Sequence, residues 1–178
     1  MMKKFHLLLL DANIVIRLFG FGIWEKVIEP CDVHLARSVA EHEAQFWEDE
    51  HGGRHDIDLR PHMQDGRVTV FDVAPSELAA FRSEFDLTYL ERLDLGEAES
   101  LAYLMNAAEQ YLICSADSIV YRVLGNLNRG DQGISLEEVL QQIGLGRRVS
   151  RQFSKAFRET WTKKGSQECI RGTGWKGG

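Results

Sequence analysis

The sequence predicts an α/β fold, a central parallel sheet of about five strands flanked by helices in three layers. Three observations lead to it. Two short segments, Phe5–Leu10 and Tyr111–Cys114, are nearly continuous apolar runs, as strands covered on both faces must be. Segments of helical period alternate with these and with three further β-like segments, and that alternation marks parallel α/β sheets. The chain has 178 residues, the length of one domain and enough to bury a sizeable core.

The elements follow in order. Phe5–Leu10 is the first strand and ends directly on Asp11. Val33–Ala36 is the second, after which Ser38 can cap a helix from Val39 through Trp47. Residues 48–66 (EDEHGGRHDIDLRPHMQDG) are polar and rich in Gly and Asp, which reads as an inserted loop or lid. Val68–Val73 is the third strand. Pro75-Ser76-Glu77 opens a helix with Leu78, Phe81 and Phe85 on one face. Leu95 to Ala108 carries Ala98, Leu101, Ala102 and Met105 at helical spacing. Tyr111–Cys114 is the fourth strand, and Asp117 or Ser118 starts a short helix with Val120 and Leu124. Ile134–Leu136 is the fifth, and Ser135 also precedes LEEVLQQIG, a capped helix stopped at Gly144. Residues 1–146 thus form the body. Residues 147–178 form a basic helix and a tail, GTGWKGG, expected to be mobile.

Composition narrows the classes. No apolar run approaches the roughly 20 residues of a membrane span. Lys3 and Lys4 precede an apolar run, but Asp11 breaks it too early for a signal peptide. Cys31, Cys114 and Cys169 are far apart and form no zinc or redox motif, which suits a reducing, cytoplasmic setting. Charge is split. Residues 1–146 hold 12 Lys/Arg against 25 Asp/Glu, net −13, while residues 147–178 hold 9 against 2, net +7. An acidic body with a basic arm suggests a polyanionic partner, unless the arm docks on its own body.

Asp11 poses the chemical question, because a buried unpaired carboxylate costs several kcal/mol or more. In open α/β sheets ligands lie beyond the C-terminal ends of the strands. Asp11 follows strand one and Asp117 follows strand four, in YLICSADS. Two carboxylates there repel each other unless a cation lies between them. Mg²⁺ and Mn²⁺ take oxygen ligands and retain waters, so a few carboxylates suffice. Two helix starts facing the same edge add Glu41 or Glu43, from SVAEHEAQF, and Glu97, from LDLGEAESLA. Capping and helix-dipole roles are open to the same residues.

Four stretches, LLLLDANIVI, SVAEHEAQF, LGEAESLAYL and LICSADSIVYRVL, together resemble the PIN-domain family, and within it the VapC-like toxin nucleases. The likeness spans about residues 5–145. That family carries Asp-x-Asn or Asp-x-Ser after strand one, here Asp11 and Asn13, and a Glu in the second helix, here Glu43 or alternatively Glu41. It also carries Gly-Asp or Gly-Glu before an Ala-rich helix, here Gly96 and Glu97, and Thr-x-Asp after the fourth strand, here Ser115 and Asp117. The chain departs from the pattern in Ser115 for Thr, in Glu97 for the commoner Asp, in the polar insertion and in the C-terminal extension. The resemblance implies a PIN-like fold and a metal-dependent ribonuclease cleaving single-stranded RNA. It implies catalytic roles for Asp11, Glu43, Glu97 and Asp117, with Mg²⁺ or Mn²⁺ held by Asp11, Asp117 and Glu97, directly or through water. Asn13 and Ser115 would orient those ligands by hydrogen bonds. An antitoxin protein and a homodimeric state are the implied partners. The alternative is a PIN-like module that binds RNA or protein without cleaving.

Other signals are weaker. His42, His51, His55 and His62 cluster loosely, with Gly52-Gly53 breaking any helical zinc pair. DANIV resembles the Asp-x-Asp motif of dehalogenase-like phosphatases, but Asn13 stands where the second acid is needed. Phe153, Phe157 and Trp161 recur every four residues, as the anchoring face of an amphipathic helix does. Arg147, Arg148, Arg151, Lys155 and Arg158 fall on the other side of that expected helix and would contact RNA phosphates.

Overall fold

The computed structural model describes residues 5–177; Lys3 and Lys4 fall outside them. It is an α/β structure, and its elements run β1 (Phe5–Leu10), α1 (Ala12–Gly20), α2 (Trp24–Ile28), β2 (Cys31–Ala36), β3 (Phe46–Glu48) and β4 (Arg54–Asp56). Then come α3 (Arg60–Gln64), β5 (Val68–Phe71), α4 (Pro75–Ser83), α5 (Leu87–Leu90), α6 (Leu95–Asn106) and β6 (Leu112–Cys114). The chain ends with α7 (Ser118–Asn126), α8 (Leu136–Gln142) and α9 (Lys155–Ile170). Among the described residues no helix is long and apolar enough to cross a membrane.

The main sheet has four parallel strands in the order β5-β2-β1-β6, one fewer than expected. The fifth is the one expected at Ile134–Leu136. There the Ile134 N–H donates to the Ile113 carbonyl at 3.0 Å, and Gly133 bridges Ile113. Pairing stops at once because Ser135 is the N-cap of α8, its hydroxyl accepting from Glu138 N while the Glu138 carboxylate returns to Ser135 N. A residue committed to a capping box cannot extend a strand. The central strands are apolar on both faces as expected: Leu9, Leu10, Val33, Leu35, Ile113 and Cys114 are at most 1% exposed.

The stretch expected as one helix from Val39 through Trp47 is instead a single wide turn, Val39–Glu43, of π geometry, followed by β3. The polar insertion is ordered as well. β3 and β4 pair antiparallel through a turn in which the Asp49 carboxylate accepts from the His51 and Gly53 N–H groups at 2.9 and 2.8 Å. A short helix, α3, follows.

The C-terminal segment departs most from expectation. The helix expected over 147–158 begins only at Lys155, after a 3₁₀ turn at Arg151–Phe153. α9 then crosses α7 backbone against backbone. Gly125 of α7 lies under Thr162, and Gly165 of α9 under Arg122, so a side chain at either glycine would overlap the facing main chain. A buried knot of polar groups closes the crossing. Arg122 Nη2 donates to the Glu168 carboxylate at 2.8 and 3.0 Å, and the Tyr89 hydroxyl donates to the same carboxylate. The tail expected to be mobile is tied as well. Gly174 N donates to Asp86 at 2.7 Å, and Trp175 N to the Asn126 side chain at 2.9 Å.

Candidate metal centre

Strand order reverses at β1, whose neighbours β2 and β6 lead away on opposite sides. A crevice opens beyond the C-terminal ends of strands at such a point. Register does the rest. Leu10 pairs with Cys114, so the next residues on each strand, Asp11 and Ser115, emerge side by side. Asp11 N donates to the Cys114 carbonyl at 3.1 Å, and the Ser115 hydroxyl donates to Asp11 Oδ2 at 3.0 Å. The Ser115 hydroxyl also accepts from Asp117 N at 2.9 Å. The fully buried Tyr121 pins this loop. Its hydroxyl accepts from Ser115 N at 3.1 Å and is shared between the carbonyls of Ser115 and Ile134, at 2.8 and 3.0 Å.

Asp11 is 3% exposed and caps α1 through Ala12 N at 2.7 Å. Burial, then the charge of Asp94, push its carboxyl up to about 7; the Ser115 and Ala12 hydrogen bonds oppose the rise. Glu97, 2% exposed, is raised to about 9, first by burial and then by Asp11, Asp94 and Asp117. Glu43 is also raised, chiefly by burial and by Asp94, against the hydrogen bond from Gly96. Burial first, and neighbouring carboxylates second, thus favour the protonated forms of Asp11, Glu43 and Glu97, an arrangement that a divalent cation would reverse.

The tightest acidic group comprises Asp11, Glu43 and Asp94, one ligand oxygen from each lying within 4.8 Å of the others. Among the described residues it is the one group of three or more potential metal ligands so disposed. The donor set is all carboxylate, which fits a hard cation such as Mg²⁺ or Mn²⁺. Glu43 gives a second sign of fit. Its Oε1 accepts from Gly96 N at 3.1 Å, whereas Oε2 is buried and has no hydrogen-bond partner. Such an oxygen is costly unless something positive meets it.

The sequence-derived residues sort as follows. Asp11 and Glu43 come together. Glu41 does not join them, being exposed and paired with Arg37 at 2.7 Å. Glu97 and Asp117 stand at the margin, the charge of Asp117 reaching Glu97, but each is also engaged in capping. Glu97 accepts from Asp94 N at 3.1 Å, and Asp117 accepts from Ile119 N at 3.1 Å. Ser115 orients Asp11 as expected, while Asn13 is exposed and turned to a neighbouring cleft.

Asp94 was missed. It is the N-cap of α6, its Oδ1 accepting from Glu97 N at 2.8 Å in a reciprocal capping box. The Asp-x-x-Glu spacing before an Ala-rich helix carries that signal.

The histidines spread apart. His55 stacks on Trp47, and His62 is buried beside Trp24. The basic residues do not share one helix face. Arg148 and Arg151 are exposed ahead of α9, and Lys155 sits at its first turn, 3.7 Å from Glu159. Arg158 binds Glu138 through two hydrogen bonds of 2.7 and 2.8 Å. Phe153 is buried, and Phe157 and Trp161 pack against the core, as their spacing suggested.

No family model, curated protein or solved structure matches this chain.

Proposed function

We propose that this chain is a PIN-like, Mg²⁺- or Mn²⁺-dependent ribonuclease acting on single-stranded RNA. The observation that carries the reading is the convergence of Asp11, Glu43 and Asp94 within 4.8 Å at the point where strand order reverses. A divalent cation at such a site lowers the pKa of a bound water and neutralises charge on a phosphoryl group. The protein's own part is to hold the ligands. Asp11 is set by the β1–β6 register and the Ser115 hydroxyl, Glu43 by the N–H of Gly96, and Asp94 by its capping box with Glu97. Glu97 and Asp117, beside the group, would hold metal-bound water, as the resemblance implies. The four motif stretches that resemble the PIN family bear Asp11, Glu43, Glu97 and Asp117, with Asp94 one residue ahead of the third stretch, and that resemblance supplies RNA as the substrate. The toxin of a toxin–antitoxin pair is the role that goes with this resemblance, and a neighbouring reading frame for a small DNA-binding protein would support it.

The test is incubation with end-labelled single-stranded RNA, with Mn²⁺ or with EDTA, beside Asp11→Asn. Cleavage that requires Mn²⁺ and disappears in the variant supports the reading. Cleavage by Asp11→Asn at the wild-type rate overturns it.

A further inference from the structure

A cleft of about 360 Å³ opens beside the acidic group, within the range of sites that hold small ligands. One wall is a single face of α1, formed by Asn13, Ile16, Arg17 and Gly20 at helical spacing. Asn13 lies two residues beyond Asp11, and Ala116, also in the lining, sits between Ser115 and Asp117. The cleft therefore starts where the carboxylates end.

Its other walls come from the two parts of the chain that depart from the PIN pattern. The hairpin that opens the insertion contributes Trp47, one residue ahead of it, and Glu48; the Trp47 indole lies against Gly20, where an added Cβ would meet the ring at 3.8 Å. Trp47 is fixed by its cross-strand partner His55, the rings stacked with centroids 4.2 Å apart and planes 15° apart. The C-terminal segment contributes Gln152 and Phe153. Arg17 is exposed yet steadied by two rings, its guanidinium 5.0 Å from the Phe153 centroid and 5.6 Å from that of Phe21. Arg147 leans on the same Phe21 ring at 4.8 Å, so two cations gather at this rim of an otherwise acidic body.

An aromatic plate, a fixed guanidinium, two side-chain amides and an adjoining carboxylate cluster suit one chemical class. We propose that the cleft is a subsite for one unpaired nucleotide of the RNA strand, flanking the phosphate to be cut. The base stacks on Trp47 within hydrogen-bonding reach of Asn13 and Gln152, and the neighbouring phosphate lies on Arg17. Base stacking on an aromatic side chain tolerates any base, and the amides supply whatever preference exists. A paired base has no exposed face to offer, so duplex RNA is excluded. The inference rests on the ribonuclease reading but makes a separate claim.

The experiment measures binding of fluorescein-labelled RNA decamers to Asp11→Asn protein in Mg²⁺, with and without Trp47→Ala. The intact decamer should lose about ten-fold or more in affinity, the size of one lost stacking contact. A decamer of abasic sugar-phosphate units should bind both proteins alike. Trp47→Phe keeps an aromatic face and should hold affinity within about three-fold of the parent. Arg17→Gln should flatten the log–log salt dependence by about 0.7, the share of one phosphate contact. Equal binding of the intact decamer by the Trp47→Ala and parent proteins overturns the subsite and leaves the ribonuclease reading standing. Equal loss for intact and abasic decamers, or a Trp47→Phe loss matching Trp47→Ala, also overturns it, because Trp47 then only braces the hairpin. Failure of the parent protein to bind any single-stranded RNA overturns the ribonuclease reading itself.

Discussion

Gly96 and Glu43 meet so closely that a Cβ on residue 96 would lie 2.5 Å from Glu43 Oε2, while the Gly96 N–H donates to Oε1 at 3.1 Å. The absence of a side chain at 96 is what lets the wide turn after β2 bring a carboxylate to α6. Gly96→Ala should therefore displace Glu43, and the same Cβ would also crowd Val39 at 2.7 Å. Alanine is the better helix former by up to about 1 kcal/mol, which offsets part of the strain. The expected result is a small change in melting temperature with at least about ten-fold weaker Mn²⁺ binding. Calorimetric titration beside a thermal melt separates the two effects.

Glu43 and Glu41 should behave differently. Glu41 is exposed and paired with Arg37, a contact worth about 1 kcal/mol or less. Glu41→Gln should leave metal affinity and cleavage within about two-fold of wild type on that scale. Glu43→Gln removes a charged ligand and should abolish cleavage. The two variants assayed side by side in Mn²⁺ decide it, and the reverse ranking would move the site to the outer face of the turn.

Protonation gives the metal-free protein a distinctive pH response. Folded Asp11 keeps its proton up to about 7 and folded Glu97 up to about 9, against ordinary values of 3.8 and 4.5. Between the ordinary and the raised values the folded state binds more protons than the unfolded chain, so stability falls as pH rises. Without metal, the protein should be less stable at about pH 8.5 than at about pH 5.5, by on the order of 6 kcal/mol. Saturating Mn²⁺ should remove most of that difference, and Mn²⁺ affinity should itself rise over the same window as the ligands lose protons. Denaturant unfolding in EDTA and in Mn²⁺ at both pH values reads all of this.

Arg158 should matter to folding and Arg151 to charge. Arg158 and Glu138 are 15% and 17% exposed and doubly hydrogen-bonded, joining α9 to the capping box of α8. Arg158→Gln should cost about 2–3 kcal/mol, toward the lower end for breaking a buried pair. It should leave the salt dependence of RNA binding unchanged. Arg151→Gln leaves stability within about 0.5 kcal/mol, as at ordinary surface positions. If Arg151 touches phosphate, that variant lowers the salt slope by about 0.7.

The α/β class was legible because the chain's most apolar segments are its central strands, and Asp11 was legible because it ends one of them. What escaped lies where local pattern and tertiary packing disagree. Ser135 carries a strand-like neighbour on one side and a capping box on the other, and the cap prevails. No helix was expected between Asp11 and Val33, where α1 and α2 form. The turn at Val39–Glu43 has an ordinary helical composition, and its wide geometry comes with a contact 53 residues away, at Gly96. Asp94 was hidden by its capping role, which gives it the same appearance whether or not it also faces a cation. The basic segment read as one amphipathic helix because Phe153, Phe157 and Trp161 keep helical spacing across a 3₁₀ turn.

Titration of the metal-free protein with Mn²⁺ by calorimetry, beside Asp11→Asn and Asp94→Asn, tests the central claim most directly. The account predicts saturable binding to the wild-type protein, accompanied by proton release near pH 7, and at least about ten-fold weaker binding in either variant. Binding unchanged in both variants would place the cation elsewhere, and no binding to the wild-type protein would leave the convergence of Asp11, Glu43 and Asp94 without a metal to explain it.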